Sequence, residues 1–411
     1  MKKVPRVLVL IDHYLPGTRT GGPVRTVAAT VERLGDEFEF VVLTTDRDRG
    51  DRSLYPGVAA GAVVPVAKAG VRYLAPRRLR PLALAGLLEQ LRPGVVCLNG
   101  FFARTSRNAL LARRAGRLGG VPVVVAPRGD FSPGALALRR WKKNAYLRLA
   151  RASGLCRGVI WQASSEHEAR DVRVAIGPAT EAAGSWIVVA RDLTSPGGTE
   201  RRAAGGAVGG AQAPDRAAKR PGAARIVFLS RIARKKNLDG AIRALGDIQG
   251  EIEFDIFGPI EDAAYWRGCE RLLARLPTTV RARYRGAVPP ECVHEVLAGY
   301  HLLFLPTRGE NFGHVILEAL LAGCPVLVSD QTPWCELAGR GVGWDLPLGA
   351  PERFLAALDE LVQMDAATFA DWSARARQFG ASAAADPAVV EANRGILRLA
   401  LASGDAREVR S

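Results

Sequence analysis

Short apolar runs alternate with segments of helical periodicity along most of this 411-residue chain. Residues 7–11 form the first run, and the apolar residues of 24–34 then recur at helical spacing. Runs that are apolar at every position are typical of parallel strands covered on both faces, because neither side of such a strand meets water. The alternation therefore predicts β-α-β units and a doubly wound α/β fold.

The alternation occurs twice, and a segment of different composition separates the halves. Further strands are predicted at 38–45, 95–98 and 121–126, and then at 226–229, 252–257, 302–305 and 325–328. Residues 196–223 are mainly Gly, Ala, Pro and Arg, which bury too little apolar surface to offset their ordering entropy. We therefore predict Rossmann-like domains at 1–195 and 224–385, a flexible linker or insertion at 196–223, and a helix and tail at 386–411.

The chain is basic, with 57 Lys and Arg against 41 Asp and Glu and a net charge of +16. Such an excess is solvated, or it meets an anionic partner such as phosphate, nucleic acid or acidic lipid. The six cysteines occur singly, which favours reduced thiols in a cytoplasm. No run approaches the roughly 20 apolar residues of a membrane span. We expect a cytoplasmic protein that is at most peripheral on a membrane.

Two glycines, Gly21 and Gly22, lie directly after the first predicted strand and directly before a helix. Glycine lets the backbone approach a ligand closely, and the free N–H groups of a helix start attract anions. The pair matches neither a dinucleotide-binding fingerprint nor a Walker A loop. An anion site and a plain turn both fit this pattern.

Two polar loops follow strands in the second half. The first, at 230–237, places Arg231 at a strand end and Lys236 five residues on, so both side chains can converge on one phosphate. A solvated basic loop is the alternative. The second loop carries Glu310, and Gly313 then begins a helix that carries Glu318. Two carboxylates around a glycine turn at a strand end favour the binding of one extended ligand over a routine surface.

These sites, in this order, closely resemble the retaining glycosyltransferases of family 4, which have the GT-B fold. The spacing of Glu310 and Glu318 is that family's signature. The second half resembles the family over nearly all of its length, and the first half does so more loosely. The matching segments are 228–232, 236–238, 257–259, 285–288, 323–334, 21–22, 127–130 and 164–168.

The resemblance implies an enzyme whose donor is a sugar joined to a nucleoside diphosphate. Arg231 and Lys236 match the positions that bind the diphosphate, and Gly21 and Gly22 match the loop whose N–H groups face it. No metal and no cofactor are implied, so cationic side chains must stabilise the charge that grows on the leaving group. The helix at 386–411 is expected to cross back to the first domain, as in relatives.

The resemblance also assigns the acidic residues. Glu310 matches the carboxylate that contacts the sugar hydroxyls, and Glu318 the one that holds the ribose hydroxyls. Arg231, Lys236 and Glu310 are therefore the catalytic residues that the resemblance implies. The other donor-binding positions are Val288, Asn311, Phe312 and Gly313.

The first half departs from the family where relatives carry a histidine after a strand. Here the chain has Arg128 and Asp130, which we expect on the acceptor side of the site. Asp130 fits a general base, and it equally fits a residue that caps a turn. The chain also carries Ala190-Arg191-Asp192 where relatives often have Pro-Asn, which leaves the hinge geometry open.

A basic segment follows in the first half. Residues 126–160 contain eight Lys and Arg and one Asp, and Leu138, Trp141, Ala145 and Leu149 recur at helical spacing. Such a helix suits the surface of an anionic membrane. A helix packed on the core with a basic solvent face fits equally.

The resemblance implies transfer of a sugar from a nucleoside diphosphate donor to a hydroxyl of a glycan or glycolipid. The resemblance adds retention at the anomeric carbon, independence of metal and a role in cell-surface polysaccharide synthesis. The expected partners are the donor, a glycan or lipid-linked acceptor and an anionic membrane surface, without a specific nucleic acid. The alternatives are a non-catalytic binder of nucleotide sugars or nucleic acid, and a sugar-phosphate synthase that differs in its acceptor.

Overall fold

The structure is a computed structural model that describes residues 4–17, 21–58, 61–137, 140–178, 184–194 and 218–408. The chain divides into two compact units. The first comprises Met1–Ser195 with Asp386–Ser411, and the second Pro196–Ala385. The predicted linker at 196–223 lies outside the described residues as far as residue 217.

The first unit contains one eight-stranded sheet in the order β3-β4-β2-β1-β5-β6-β7-β8. Its strands are β1 (Arg6–Leu10), β2 (Glu39–Thr45), β3 (Val63–Val66), β4 (Ala69–Leu74), β5 (Val95–Asn99), β6 (Val123–Ala126), β7 (Ile160–Ala163) and β8 (Trp186–Val189). All neighbours pair in parallel except β3, which pairs antiparallel with β4 at one edge.

Helices cover both faces of this sheet. They are α1 (Gly22–Leu34), α2 (Pro81–Leu91), α3 (Arg104–Arg114), α4 (Pro133–Ala137), α5 (Arg140–Ala152), α6 (Glu166–Ile176) and, from the end of the chain, α13 (Pro387–Glu408). Leu8 and Leu10 of β1 lie in one core cluster, whereas Val7 and Val9 lie in another. Successive side chains of a strand point to opposite faces, so a strand apolar at every position is buried on both sides.

The last helix, α13, packs on the first unit. Its apolar residues Ile396 and Leu397 join the core beside β1 and β2. Arg394 donates to the carboxylate of Glu37 at 2.9 Å. No helix within the described ranges has both the length and the apolar character that crossing a bilayer demands.

The second unit contains a six-stranded, wholly parallel sheet in the order β11-β10-β9-β12-β13-β14. Its strands are β9 (Ala223–Leu229), β10 (Glu251–Phe257), β11 (Val280–Gly286), β12 (Leu302–Leu305), β13 (Val326–Ser329) and β14 (Gly343–Leu346). Its helices are α7 (Leu238–Ala244), α8 (Ala263–Leu273), α9 (Val293–Ala298), α10 (His314–Leu321), α11 (Pro351–Gln363) and α12 (Ala366–Ala385).

Each sheet reverses its strand order once, and these points locate the candidate sites. In the first unit β1 has β2 on one side and β5 on the other, and in the second unit β9 lies between β10 and β12. Ligands of doubly wound sheets bind beyond the carboxyl ends of the strands at such a point. The α/β prediction of two doubly wound units is confirmed.

One local expectation is wrong. Gly21 and Gly22 do not follow a strand directly, because β1 already ends at Leu10. The prediction of a helix directly after the glycines is correct, since α1 begins at Gly22.

Candidate active site

The loops after β9 and β12 meet at the point where the second sheet reverses. The Arg308 N–H donates to the carbonyl oxygen of Lys235 at 2.8 Å, and the Thr307 hydroxyl donates to the same oxygen at 3.1 Å. These contacts join the basic loop to the loop of Glu310. Both loops that sequence reasoning selected thus form one surface.

Asn237 fixes the end of the basic loop. Its backbone is left-handed, with φ 58° and ψ 39°, a conformation that asparagine adopts more readily than most residues. Its side-chain amide donates to the carbonyl of Pro306 at 2.9 Å and accepts from Arg308 at 3.1 Å. Asn237 therefore fixes both the start of α7 and the position of the preceding Lys236.

Lys236 and Glu310 form a direct ion pair between the two loops. Their side chains are only 12% and 10% exposed, so the charges are largely removed from water. Burial raises the pKa of Glu310, but the charge and hydrogen bond of Lys236 outweigh it and hold that pKa below its ordinary value. The backbone N–H of Glu310 also donates to the carbonyl of Gln331 at 2.9 Å. The Glu310 carboxylate is therefore ionised at neutral pH, and its residue is held by both Lys236 and Gln331.

Arg231 has a different partner. Its guanidinium donates to the carboxylate of Glu261 at 2.5 Å, and both side chains are about one-third exposed or more, at 40% and 33%. Sequence reasoning expected Arg231 and Lys236 to converge on one point. The structure places them on one loop but pairs each with its own carboxylate.

Gly313 is the N-cap of α10 and has a left-handed conformation, with φ 80°. A Cβ atom there would lie 2.7 Å from the Cδ1 of Ile316, so a side chain meets both strain and a clash. The preceding Phe312 is buried, and its carbonyl accepts from the indole nitrogen of Trp334 at 2.6 Å. Asn311 is half-buried beside it. Trp334 is a support of this turn to which sequence reasoning gave no role.

The two remaining donor-binding candidates lie further along the unit. Glu318 is half-buried in the second turn of α10. Val288 follows the end of β11 and packs against the core.

Gly21 and Gly22 lie at the start of α1 in the first unit. Gly21 has φ 70°, which only glycine adopts readily, and Gly22 is the first residue of the helix. Nothing lies within 4 Å of a Cβ built on Gly21, so the backbone conformation rather than crowding demands glycine there.

Arg128 lies in a buried ion pair. Its guanidinium contacts the carboxylate of Asp192, and the two side chains are 9% and 4% exposed. It also donates to the amide oxygen of Asn99 at 3.2 Å from two nitrogens, and Thr26 donates to Asp192 at 3.2 Å. Arg128 thus links β5, α1 and the segment after β8.

Asp130 and Glu168 hold the loop around Arg128. The Asp130 carboxylate accepts from the N–H of Phe102 at 3.1 Å, a contact that joins the loop after β6 to the loop after β5. Glu168 accepts from the N–H of Gly129 at 2.6 Å and from that of Ser164 at 2.8 Å. Burial raises the pKa of Glu168, although these N–H donors partly oppose the effect.

Sequence reasoning gave no role at the site to several polar residues near strand ends. Asp12, two residues beyond β1, accepts from the N–H groups of Arg104 and Thr105 at 2.9 Å and so holds the start of α3. Asn99 ends β5 and Asp192 follows β8. The available signal was a polar side chain at the carboxyl end of an apolar strand. Within the described ranges, no group of three or more His, Cys, Asp and Glu side chains is placed to hold a metal ion.

Both halves of the chain match models of known families. Residues 212–379 match the model "Glycosyl transferases group 1", and residues 21–184 match the "Glycosyl transferase 4-like domain". A curated relative is the 2-deoxystreptamine glucosyltransferase of Streptomyces kanamyceticus, at 26% identity over 115 residues. That match covers 28% of this chain and 30% of the relative's length.

Solved structures show the same fold over 91–97% of the chain. Anabaena HepE in complex with UDP and glucose has a TM-score of 0.66 at 16% identity, covering 96% of this chain and 99% of its own. Sucrose-phosphate synthase from Thermosynechococcus elongatus has a TM-score of 0.68 at 14% identity, covering 97% and 100%. WaaG, a glycosyltransferase involved in lipopolysaccharide biosynthesis, has a TM-score of 0.60 at 15% identity, covering 91% and 95%.

The two matched models describe one class of enzyme. The alternative of a non-catalytic binder loses its support, because both matched models describe glycosyltransferase domains. The chain is a transferase enzyme, a glycosyltransferase of the GT-B type.

Proposed function

We propose that the chain transfers a sugar from a nucleoside diphosphate donor to a hydroxyl group of a glycan or glycolipid, with retention at the anomeric carbon and without a metal ion. The observation that carries the proposal is the buried pair of Lys236 and Glu310 at the reversal point of the second sheet. A cation at a strand end, close to the N-terminus of a helix, can neutralise a departing diphosphate. A carboxylate beside it can accept hydrogen bonds from sugar hydroxyls.

The proposed roles divide the site between charge and positioning. Lys236 and Arg231 bind the diphosphate. Arg231 exchanges its ion pair with Glu261 for one with the diphosphate, and this costs little because a partly exposed ion pair is weak. Glu310 holds the sugar hydroxyls and Glu318 the ribose hydroxyls. The other proposed donor-binding residues are Gly21, Gly22, Val288, Asn311, Phe312 and Gly313.

A uridine diphosphate sugar is the proposed donor. The structures of HepE are described as complexes with UDP, with UDP and glucose, and with UDP-glucose. The curated relative is named as a glucosyltransferase. UDP-glucose is therefore the first donor to test. The proposed acceptor is a glycan or glycolipid, and the proposed role of the enzyme is in cell-surface polysaccharide synthesis.

A sugar phosphate is a second candidate for the acceptor. Sucrose-phosphate synthase and trehalose-6-phosphate synthase are among the proteins of the same fold. Assays with UDP-glucose and either hexose phosphates or lipid-linked glycans separate the two acceptor classes directly.

Binding of the donor nucleotide is the experiment that tests the proposal first. We expect UDP at 100 times its dissociation constant to add about 2.7 kcal/mol of stability, seen as a thermal shift. Glu318→Ala is expected to erase most of this shift, because the ribose hydroxyls lose their acceptor. Glu352→Ala, at an exposed position of the same unit, is the control and should respond like the parent. An undiminished shift in Glu318→Ala would show that the ribose assignment is wrong.

We also propose that α5 rests on an anionic membrane surface. Trp141 and Leu149 lie eight residues apart on this helix and are 72% and 61% exposed. Arg140, Lys142 and Arg148 are exposed beside them, and the ammonium of Lys142 lies 5.1 Å from the centre of the Trp141 ring. Leu138, which the sequence placed on the same face, lies outside the described residues.

Vesicle sedimentation tests this surface. The protein is expected to bind vesicles that contain acidic lipid at low salt, with about 1 kcal/mol contributed by each basic residue near the surface. Trp141→Ala combined with Leu149→Ala should weaken binding at least about fivefold, since two exposed apolar anchors are lost. Leu82→Ala, which removes a 79% exposed leucine from α2, serves as the control. Equal binding of the double variant and this control would contradict the proposal.

A further inference from the structure

A cavity of about 360 Å³ lies between α7 and α8 of the second unit. Its volume is in the range of sites that bind small molecules. Its charged and polar lining comes from the basic loop, from both helices and from the residues after α8. We call it the arginine cavity. Its charged and aromatic lining side chains are Arg234, Asp239, Arg243, Tyr265, Arg271 and Arg275.

The cavity holds four arginines and one carboxylate, that of Asp239. This carboxylate already accepts from Arg243 at 2.7 Å and from the Tyr265 hydroxyl at 2.5 Å. Burial raises the pKa of Asp239, but these hydrogen bonds outweigh it and leave that pKa below its ordinary value. The one acidic side chain in the lining is thus ionised and neutralised by Arg243, so it leaves three guanidinium charges uncompensated within the lining.

The three remaining arginines differ in their partners. Arg234 lies 3.4 Å from the carboxylate of Asp262, just outside the lining, and its side chain is 66% exposed. Among the residues that the structure describes, Arg271 and Arg275 have neither an ion pair nor a hydrogen bond from their side chains. Two guanidinium groups four residues apart therefore face the same cavity without a counter-charge.

The rest of the wall is neutral. Ala264, Gly268 and Leu272 are small or apolar, and burial raises the pKa of the Cys269 thiol to about 11, so the thiol carries no charge at neutral pH. A ligand that fits is therefore a compact molecule with one strongly anionic end. Guanidinium groups bind phosphoryl oxygens through paired, charge-assisted hydrogen bonds.

We propose that the arginine cavity binds a phosphorylated small molecule, with its phosphoryl group between Arg271 and Arg275. The site differs from the proposed donor site, because Arg231, Lys236 and Glu310 do not line it. Arg234 contributes to the lining from the same short turn that carries Lys236. The molecule bound there is distinct from the sugar donor, and its binding does not depend on the transferase reaction.

Hydrogen exchange of the full chain in a titration with inorganic pyrophosphate tests this site. Peptides from 263–276 are expected to gain protection as the cavity fills, and peptides from 306–313 report separately on the donor loops. Arg271→Glu and Arg275→Glu should each raise the midpoint for 263–276 about tenfold, as expected for the loss of one charge-assisted hydrogen bond. Arg267→Glu is the matched control on the same helix, exposed and outside the lining, and should shift the midpoint less than about twofold.

Three results would overturn the inference. The first is no protection of 263–276 in millimolar pyrophosphate, and the second is an equal midpoint in Arg271→Glu, Arg275→Glu and Arg267→Glu. The third is protection confined to 306–313, which would place pyrophosphate at the donor loops alone. Because the two sets of peptides are read independently, the failure of this site and the failure of the donor site are distinguishable.

Discussion

Replacing Lys236 with alanine is expected to lower kcat by about 10²–10³-fold, because one preorganised donor to the developing charge is lost. The measurement is the steady-state rate of nucleotide release from the sugar donor. Removing a buried cation also destabilises the fold around it, and this loss of stability must be separated from the loss of catalysis. Lys236 is paired with Glu310, whose carboxylate would otherwise be left buried without its partner.

A double variant makes this separation. Lys236→Ala with Glu310→Gln removes both charges and so restores a neutral, folded loop. We expect its kcat to stay at least about 10²-fold below the parent, since neither group can now act on the donor. Lys235→Ala, on the same turn, is the control and should stay within about threefold. If the double variant recovers most of the parent's activity, Lys236 only balances Glu310 and does not stabilise the leaving group.

Arg128→Met is expected to destabilise the first unit by about 3–5 kcal/mol, because Asp192 would be left as an unpaired buried charge. Unfolding of a chain with two units need not be two-state, so a readout for each unit is required. Hydrogen exchange at β5 and β6 supplies it. Amides of these strands should exchange faster in the variant, while those of β9 and β12 should keep the parent's rates.

Two further variants make this result specific. Arg128→Met with Asp192→Leu should recover most of the loss, because replacing a whole buried pair by apolar residues is often neutral. Lys68→Met breaks an ion pair with Asp36 whose side chains are 41% and 78% exposed, and it should cost less than about 1 kcal/mol. If Arg128→Met lowers the stability as little as Lys68→Met does, the pair of Arg128 and Asp192 has no structural role.

The sequence predicted the strands that form the centre of each sheet. The runs at 7–10 in β1, 226–229 in β9 and 302–305 in β12 are apolar at every position, and burial on both faces of the sheet is the reason. Edge strands carry no such signal. β11 has arginines at 281, 283 and 285, and most of its side chains are exposed, so its composition does not mark it as a strand. The β3–β4 pair at the other edge went unnoticed because β3 is short and has no buried side chain.

The candidate site could be predicted as loops, but its contacts could not. A polar loop after an apolar strand and a glycine before a helix are local patterns, and they led to Arg231, Lys236, Glu310 and Gly313. The partner of each side chain depends on distant parts of the chain. Glu261 faces Arg231 across 30 positions, and Asp192 faces Arg128 across 64. Nothing in the local pattern of one segment identifies such a partner, so these ion pairs required the structure.

Titration calorimetry with UDP in the presence of EDTA tests the central claim most directly. If cationic side chains of the second unit neutralise the diphosphate without a metal, UDP binds the parent in EDTA. Lys236→Ala should then lower the affinity for UDP by at least about tenfold. Uridine, which lacks the diphosphate, should bind the parent and the variant alike. A requirement for a divalent cation, or an equal loss of affinity for UDP and uridine in Lys236→Ala, would contradict the account.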